Sequence, residues 1–312
     1  MKKLSPLMFI LMLSASGCLH NSQRMSYQFL PPPGKTFLFI GQEKEAIDGY
    51  AAAIDVEPAG VMVYTSIQAV QGLQAPFDNG AGIHHGDYLM QQYPRSSLQI
   101  GLYMVDALEA VVDGSLDVNI DKLAAWISAQ ERPVYLRIGY EFDNDLNNYD
   151  PELYIRAYQR IVDRFRKLGV SNVAFVWHSD AHLLGKDPML WFPGEEYVDW
   201  VAATLFSPAQ YEKVKAMAEL ARKLDKPFMI AESSPMGEYS LQGRLGWFDK
   251  YFRIIEMLNP EMVCYINANW DIHPMFAEGR YGDARIEADP QLIEMWLERI
   301  KDERFVHAQQ KR

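Results

Sequence analysis

The chain has 312 residues, 49% of them hydrophobic and 23% charged, and a formal net charge of -11. This length and composition suit one large globular core and exclude a low-complexity chain. The acidity makes nucleic acid and anionic polymers poor partners.

Lys2 and Lys3, the apolar run Leu7 to Leu13 and the small residues Ala15-Ser16-Gly17 form an export leader over residues 1–18. That run is too short to span a bilayer. Cys18 follows directly and resembles the bacterial lipoprotein signal, in which the cysteine is lipidated and becomes the first mature residue. Ala15 stands where a large aliphatic residue is usual there, so plain secretion is the competing reading. The expected location is outside the cytoplasm, in the periplasm or on the outer membrane. With Cys18 consumed, the other cysteine is Cys264, in an apolar run predicted as a buried strand. No intrachain disulfide is expected, and its thiol reads as structural.

Residues 19–35, with Pro31-Pro32-Pro33-Gly34, read as a tether. Short apolar runs then alternate with amphipathic helical runs, the pattern of a parallel sheet with crossover helices. Eight strands are predicted: Thr36 to Gly41, Gly60 to Ser66, Leu98 to Met104, Pro133 to Glu141, Asn172 to His178, Asp199 to Phe206, Lys226 to Glu232 and Met262 to Asn269. Among the helices, Asp150 caps one from Pro151 to Leu168 that Gly169 ends; others run from Pro208 to Leu224 and from Leu241 to Leu258, stopped by Asn259-Pro260. Eight strands predict one α/β domain over residues 36–305, a (β/α)8 TIM barrel, with 306–312 as a tail. A doubly wound open sheet is the alternative. Gly41-Gln42-Glu43-Lys44 after the first strand lacks the glycine-rich phosphate fingerprint of such sheets.

In such barrels chemistry sits at the carboxyl ends of the strands. Two predicted strands end in glutamate, Glu141 on the fourth and Glu232 on the seventh. A carboxylate ending an apolar strand is costly without a partner or a purpose. An ion pair with Arg137 is the bland explanation for either one alone. Two carboxyls facing each other across the mouth are what glycosidic cleavage needs, one to protonate the departing oxygen and one to attack the anomeric carbon. Seven Trp, 17 Tyr and 15 Phe would suit stacking on neutral sugars.

Arg137-Ile-Gly-Tyr140-Glu141-Phe-Asp143-Asn144, the run from Tyr154 to Trp177, Phe192-Pro-Gly-Glu-Glu-Tyr-Val-Asp-Trp200-Val201 and Lys226-Pro227 leading to Glu232 resemble glycoside hydrolase family 26, best known for β-mannanases. The resemblance spans roughly residues 130–235. It implies a retaining, endo-acting β-glycoside hydrolase with Glu141 as general acid/base and Glu232 as nucleophile, acting on a mannan-like glycan, β-1,3-xylan or β-glucan without a cofactor. Tyr140 stands where family mannanases carry a substrate-contacting histidine, and Phe206 where a tyrosine commonly hydrogen-bonds the nucleophile. Arg137 is then expected to orient Glu232.

Trp177 and Trp270 close strands five and eight and are expected at the mouth, with a sugar stacked on Trp270; core packing is the rival. His178 either positions substrate or stands behind a residue that does. Asp143 and Asn144 are expected in subsites, while Asp145, Asn147 and Asn148 turn the chain. Tyr64 and Tyr103 are expected to line distal subsites. His84 and His85 are adjacent and cannot easily aim both rings at one ion, so no metal is expected. No Gly-x-Ser-x-Gly elbow suggests a serine hydrolase. A surface glycan-binding lipoprotein without catalysis is the alternative function, because Phe206 lacks the usual hydroxyl.

Overall fold

A computed structural model describes residues 29–181, 186–276, 278–279 and 281–308. The leader, with Cys18, lies outside the described residues. Eight strands form one parallel ring: β1 Thr36–Gly41, β2 Gly60–Ser66, β3 Ser97–Tyr103, β4 Val134–Ile138, β5 Val173–Ser179, β6 Trp200–Leu205, β7 Phe228–Ser233 and β8 Met262–Ile266. Each pairs with the next, and β8 returns to β1 with Phe39 opposite Cys264, so the barrel is closed and the open-sheet alternative falls.

The helices between them are α1 Lys44–Ile54, α2 Gly86–Gln92, α3 Leu108–Asp113, α4 Asp117–Ser128, α5 Pro151–Lys167, α6 Tyr211–Lys223, α7 Leu241–Leu258 and α8 Pro290–Ile300. Between β5 and β6 the described residues hold only a 3-10 turn, Pro188–Trp191. Local chemistry explains the boundaries. The Asp150 carboxylate accepts from the Leu153 N–H and Pro151 opens α5, whose Tyr154, Ala157, Tyr158, Ile161, Val162 and Phe165 recur at helical spacing and are all buried. The helix expected from Pro208 starts as a 3-10 turn, Pro208–Gln210, closed by a Ser207/Gln210 capping box, and becomes α-helical at Tyr211. Asn259 ends α7 in the left-handed region at φ 50°, as a C-cap asparagine can.

Strand alternation builds two cores. Outward residues such as Val134, Leu136, Phe175 and Trp177 pack beneath the helices, while Phe39, Met62, Tyr135, Val176, Trp200, Met229 and Cys264 fill the barrel. Trp177 is therefore not at the mouth: its ring stacks on Phe142 at 4.6 Å and its Nε1 donates to the Trp191 carbonyl. Cys264 is a buried free thiol that burial pushes up, consistent with a structural role.

β4 and β8 end well short of expectation, and β7 carries a bulge near its end. β4 stops at Ile138, because Gly139 and Glu141 both enter the left-handed region, at φ 54° and 52°. β8 stops at Ile266; the Asn267 N–H still bonds the Gly41 carbonyl, while its buried side chain bonds Ala46, Glu287 and Ile286. In β7, Ala203 pairs with Ile230 but Thr204 pairs with Glu232, leaving Ala231 as an extra residue. This bulge lets Glu232 follow Ala231 into the barrel rather than point to the helices. A two-stranded hairpin between β2 and α2, Phe77–Asp78 against Ile83–His84, was not readable as strands.

Candidate active site

Arg137 is the inward residue of β4 near the mouth and is wholly buried. Gly101, opposite it on β3, leaves the room: a Cβ there would lie 2.9 Å from Arg137 Nη2 and 2.5 Å from the Tyr64 ring. The Arg137 Nη1 group donates to Glu232 Oε1 in a buried ion pair and also meets His178 Nδ1 at 3.2 Å. The Tyr64 hydroxyl, from β2, donates to the same Glu232 oxygen at 2.7 Å. Glu232 is 6% exposed, and no described residue donates to its other oxygen. Burial alone would disfavour the Arg137 charge, but the facing Tyr64 and Glu232 oxygens outweigh it and raise its pKa above the ordinary value.

Glu141 stands on a built turn. Its carbonyl accepts from Asn144 N–H and Asn147 Nδ2, and the next N–H, of Phe142, bonds the His178 carbonyl at 3.1 Å. A non-glycine residue held in the left-handed region costs roughly 1–3 kcal/mol, which these bonds offset. Its Oε1 accepts from the Thr204 hydroxyl at 2.7 Å, and Thr204 Oγ1 in turn lies 3.0 Å from His178 Nε2. Burial, then the negative charges of Glu232 and Asp180, hold the Glu141 carboxyl well above the usual carboxylate range. The side chain remains half-buried, with one edge still reachable from the mouth. One carboxyl is thus favoured as an acid while the other is ion-paired with two donors on one oxygen, the pattern of two carboxylates with separate roles.

The sequence-predicted residues do not all converge here. Tyr64 was expected in a distal subsite; it is 8% exposed and grips Glu232. It supplies the hydroxyl that Phe206 lacks. Arg137, expected to orient Glu232, bonds the same oxygen as Tyr64 does. Tyr140 is half-buried at the mouth, edge-on to Tyr64 at 5.4 Å, with the Arg137 guanidinium 5.1 Å from its ring centre. Tyr103, 38% exposed and 6.4 Å from Tyr140, stays open to solvent.

His178 reaches no cleft. It is wholly buried between Arg137 and Thr204, and burial beside the Arg137 charge pushes its pKa well below the ordinary value. Trp270 is 2% exposed, wedged edge-on against Phe206, Phe276 and Tyr281, so neither face is open for a sugar. Asp143 is a brace rather than a subsite group: its carboxylate accepts from the Ser179 hydroxyl and the Asp180 N–H. Asn144 caps its own turn through Leu146 N–H. His84 packs inward on Tyr64, while His85 stacks on Tyr88.

Thr204 was missed altogether. The signal was present, since Trp200, Ala202 and Thr204 share the inward parity of β6, but a threonine ending an apolar strand also reads as ordinary β-former.

The sequence profile of glycosyl hydrolase family 26 matches residues 51–253. A β-1,3-xylanase from a Vibrio species is 30% identical over 338 residues, covering 98% of this chain and 73% of the relative. A β-1,3-xylanase from an Alcaligenes species is 30% identical over 340 residues, covering 98% and 71%. Among solved structures, the family 26 β-mannanase of Bacteroides ovatus superposes with a TM-score of 0.67 at 14% identity, covering 88% of this chain and 91% of that one, a likeness of fold. With a closed barrel, two carboxyls at its mouth and the family profile across most of it, the chain belongs to glycosyl hydrolase family 26 and is a glycoside hydrolase.

Proposed function

We propose that this glycoside hydrolase is a retaining, endo-acting enzyme that cleaves β-1,3-xylan, with Glu141 as general acid/base and Glu232 as nucleophile. The carrying observation is the contrast between the two carboxyls: Glu141 is held toward its protonated form, and Glu232 has one oxygen fixed by Arg137 and Tyr64 and the other free. In the first step the free Glu232 oxygen bonds the anomeric carbon. The glycosidic C–O bond breaks, and the Glu141 proton passes to the departing oxygen. In the second, water attacks that carbon, gives its proton to Glu141 and releases Glu232.

The xylan assignment is supported by the two relatives of that name and by Tyr140, an aromatic group where the mannanase pattern has a substrate-contacting histidine. Tyr103 and Tyr140 offer ring surface for sugars at the mouth. The non-catalytic alternative drew on Phe206; the Tyr64 hydroxyl on Glu232 supports the catalytic reading instead. An exported protein lipidated at Cys18 is supported by the leader alone; labelling with radioactive palmitate, lost in Cys18→Ala, tests it.

Reducing ends are to be measured with β-1,3-xylan, mannan, glucomannan and mixed-linkage glucan, for wild type, Glu141→Ala and Glu232→Ala. Release is expected on β-1,3-xylan, falling by roughly 10³-fold or more in each variant. Undiminished release in either variant overturns the residue roles, and faster release from another glycan overturns the substrate. Because Glu141 is active as an acid, activity should fall as pH rises through its raised pKa.

A further inference from the structure

We propose that Arg137, His178 and Thr204 form a one-way hydrogen-bond chain that fixes which oxygen of Glu141 carries the catalytic proton, with His178 and Thr204 as positioning residues. The proposal rests on Glu141 being the general acid.

The direction of the chain follows from what each group can do. A guanidinium only donates. The two N–H bonds of Arg137 Nη1 therefore go to Glu232 Oε1 and to His178 Nδ1, which must present a lone pair. A neutral imidazole with Nδ1 accepting carries its proton on Nε2. Burial beside a cation favours that neutral form. Nε2 then donates to Thr204 Oγ1 at 3.0 Å. A hydroxyl has one proton, and with its oxygen engaged by His178 that proton is directed to Glu141 Oε1, 2.7 Å away. Arg137, His178 and Thr204 are all wholly buried, so water does not compete for the links among them.

In protonated Glu141 the oxygen facing Thr204 is already an acceptor. The acid proton must sit on the other oxygen, to which no described residue donates. That oxygen gives its proton to the leaving oxygen in the first step and takes one from water in the second. Throughout, Thr204 keeps donating to its neighbour and steadies the anion formed between the steps. One cation thus sets both carboxyls: directly it occupies Glu232 Oε1, and through two neutral relays it occupies Glu141 Oε1, leaving one free oxygen on each for chemistry.

The test compares wild type with Thr204→Val, Thr204→Ser and Glu141→Ala on β-1,3-xylan, or on whichever glycan the wild type cleaves best, and on the matching disaccharide carrying a dinitrophenyl leaving group. That leaving group needs no proton. Thr204→Val should lower kcat on the polysaccharide about 10- to 100-fold while changing the first step on the dinitrophenyl substrate less than about threefold. Its alkaline limb should move to higher pH, because the lost hydroxyl had favoured the Glu141 anion. Thr204→Ser should restore both readouts; Thr204→Ala serves in place of Thr204→Val if the latter does not fold. Equal losses on both substrates with an unmoved alkaline limb, or a Thr204→Val enzyme indistinguishable from wild type, overturn the chain. Wild-type polysaccharide rates in Glu141→Ala would instead overturn the acid assignment beneath it.

Discussion

Tyr64 and Phe206 show how a single hydroxyl can change its strand of origin. Glu232, the proposed nucleophile, takes a donor on one oxygen, and the barrel interior offers that oxygen to β2 as readily as to β6, since inward side chains from different strands converge on the mouth. Hydrogen bonds to a charged partner contribute about 1.5–3 kcal/mol. Tyr64→Phe should therefore reduce kcat/KM by roughly 10- to 150-fold and lower Tm by only a few degrees, because the ring and its packing on Tyr140 remain. Steady-state kinetics alongside thermal melting check this, and unaltered kcat/KM would remove Tyr64 from the site. At this scale the sequence exposed both glutamates and Arg137. It could not assign Tyr64, Trp177 or Trp270, because an aromatic residue near a strand end is equally at home in a core, and only the direction of its side chain decides.

Among the elements, α1 carries a second perturbed carboxyl. Glu43 caps the helix, accepting from the Glu45 and Ala46 N–H groups at 2.7 Å each, yet it is almost fully buried after β1. Burial first, then the hydrogen bond and charge of Glu45, raise its pKa from 4.5 to about 8 against the pull of the two backbone donors. A carboxyl raised on folding adds stability below its unfolded pKa, and that contribution is lost as pH rises through the folded one. The window here runs from 4.5 to about 8. Glu43→Gln keeps the cap's acceptor without the titration. Melting between about pH 5 and about pH 9 should show wild type losing several degrees more than the variant. Parallel slopes would show that Glu43 does not titrate in this range. Element positions were legible to within a few residues because apolar periodicity, caps and proline are local. The left-handed turn at Glu141 and the bulge at Ala231 were not, since each answers to bonds from distant segments such as the His178 carbonyl and Thr204.

The molecule as a whole depends on filling its barrel. At the end away from the carboxyls, Phe39, Tyr135 and Trp200 meet edge to face, with Tyr135 and Trp200 at 5.5 Å; Phe37 tilts against Phe39, and the Tyr135 hydroxyl donates to the Phe29 carbonyl beneath them. Trp200→Ala would open a cavity inside a closed ring with little room to relax, so a loss of about 3–5 kcal/mol is expected by denaturant titration. A loss below about 1 kcal/mol would mean that the ring collapses to fill the space.

The alternation of strands and helices, the two strand-end glutamates and the motif from Arg137 to Asn144 were properties of sequence order, and they determined the parallel α/β class, the family resemblance and the candidate carboxyls. Closure of β8 on β1, the aim of each aromatic ring, and the path from Glu232 through Arg137, His178 and Thr204 to Glu141 were decided by the tertiary structure. The reason is physical. Periodicity tells which residues share a face, but hydrogen-bond partners 26 to 95 positions apart meet only when the ring closes around them.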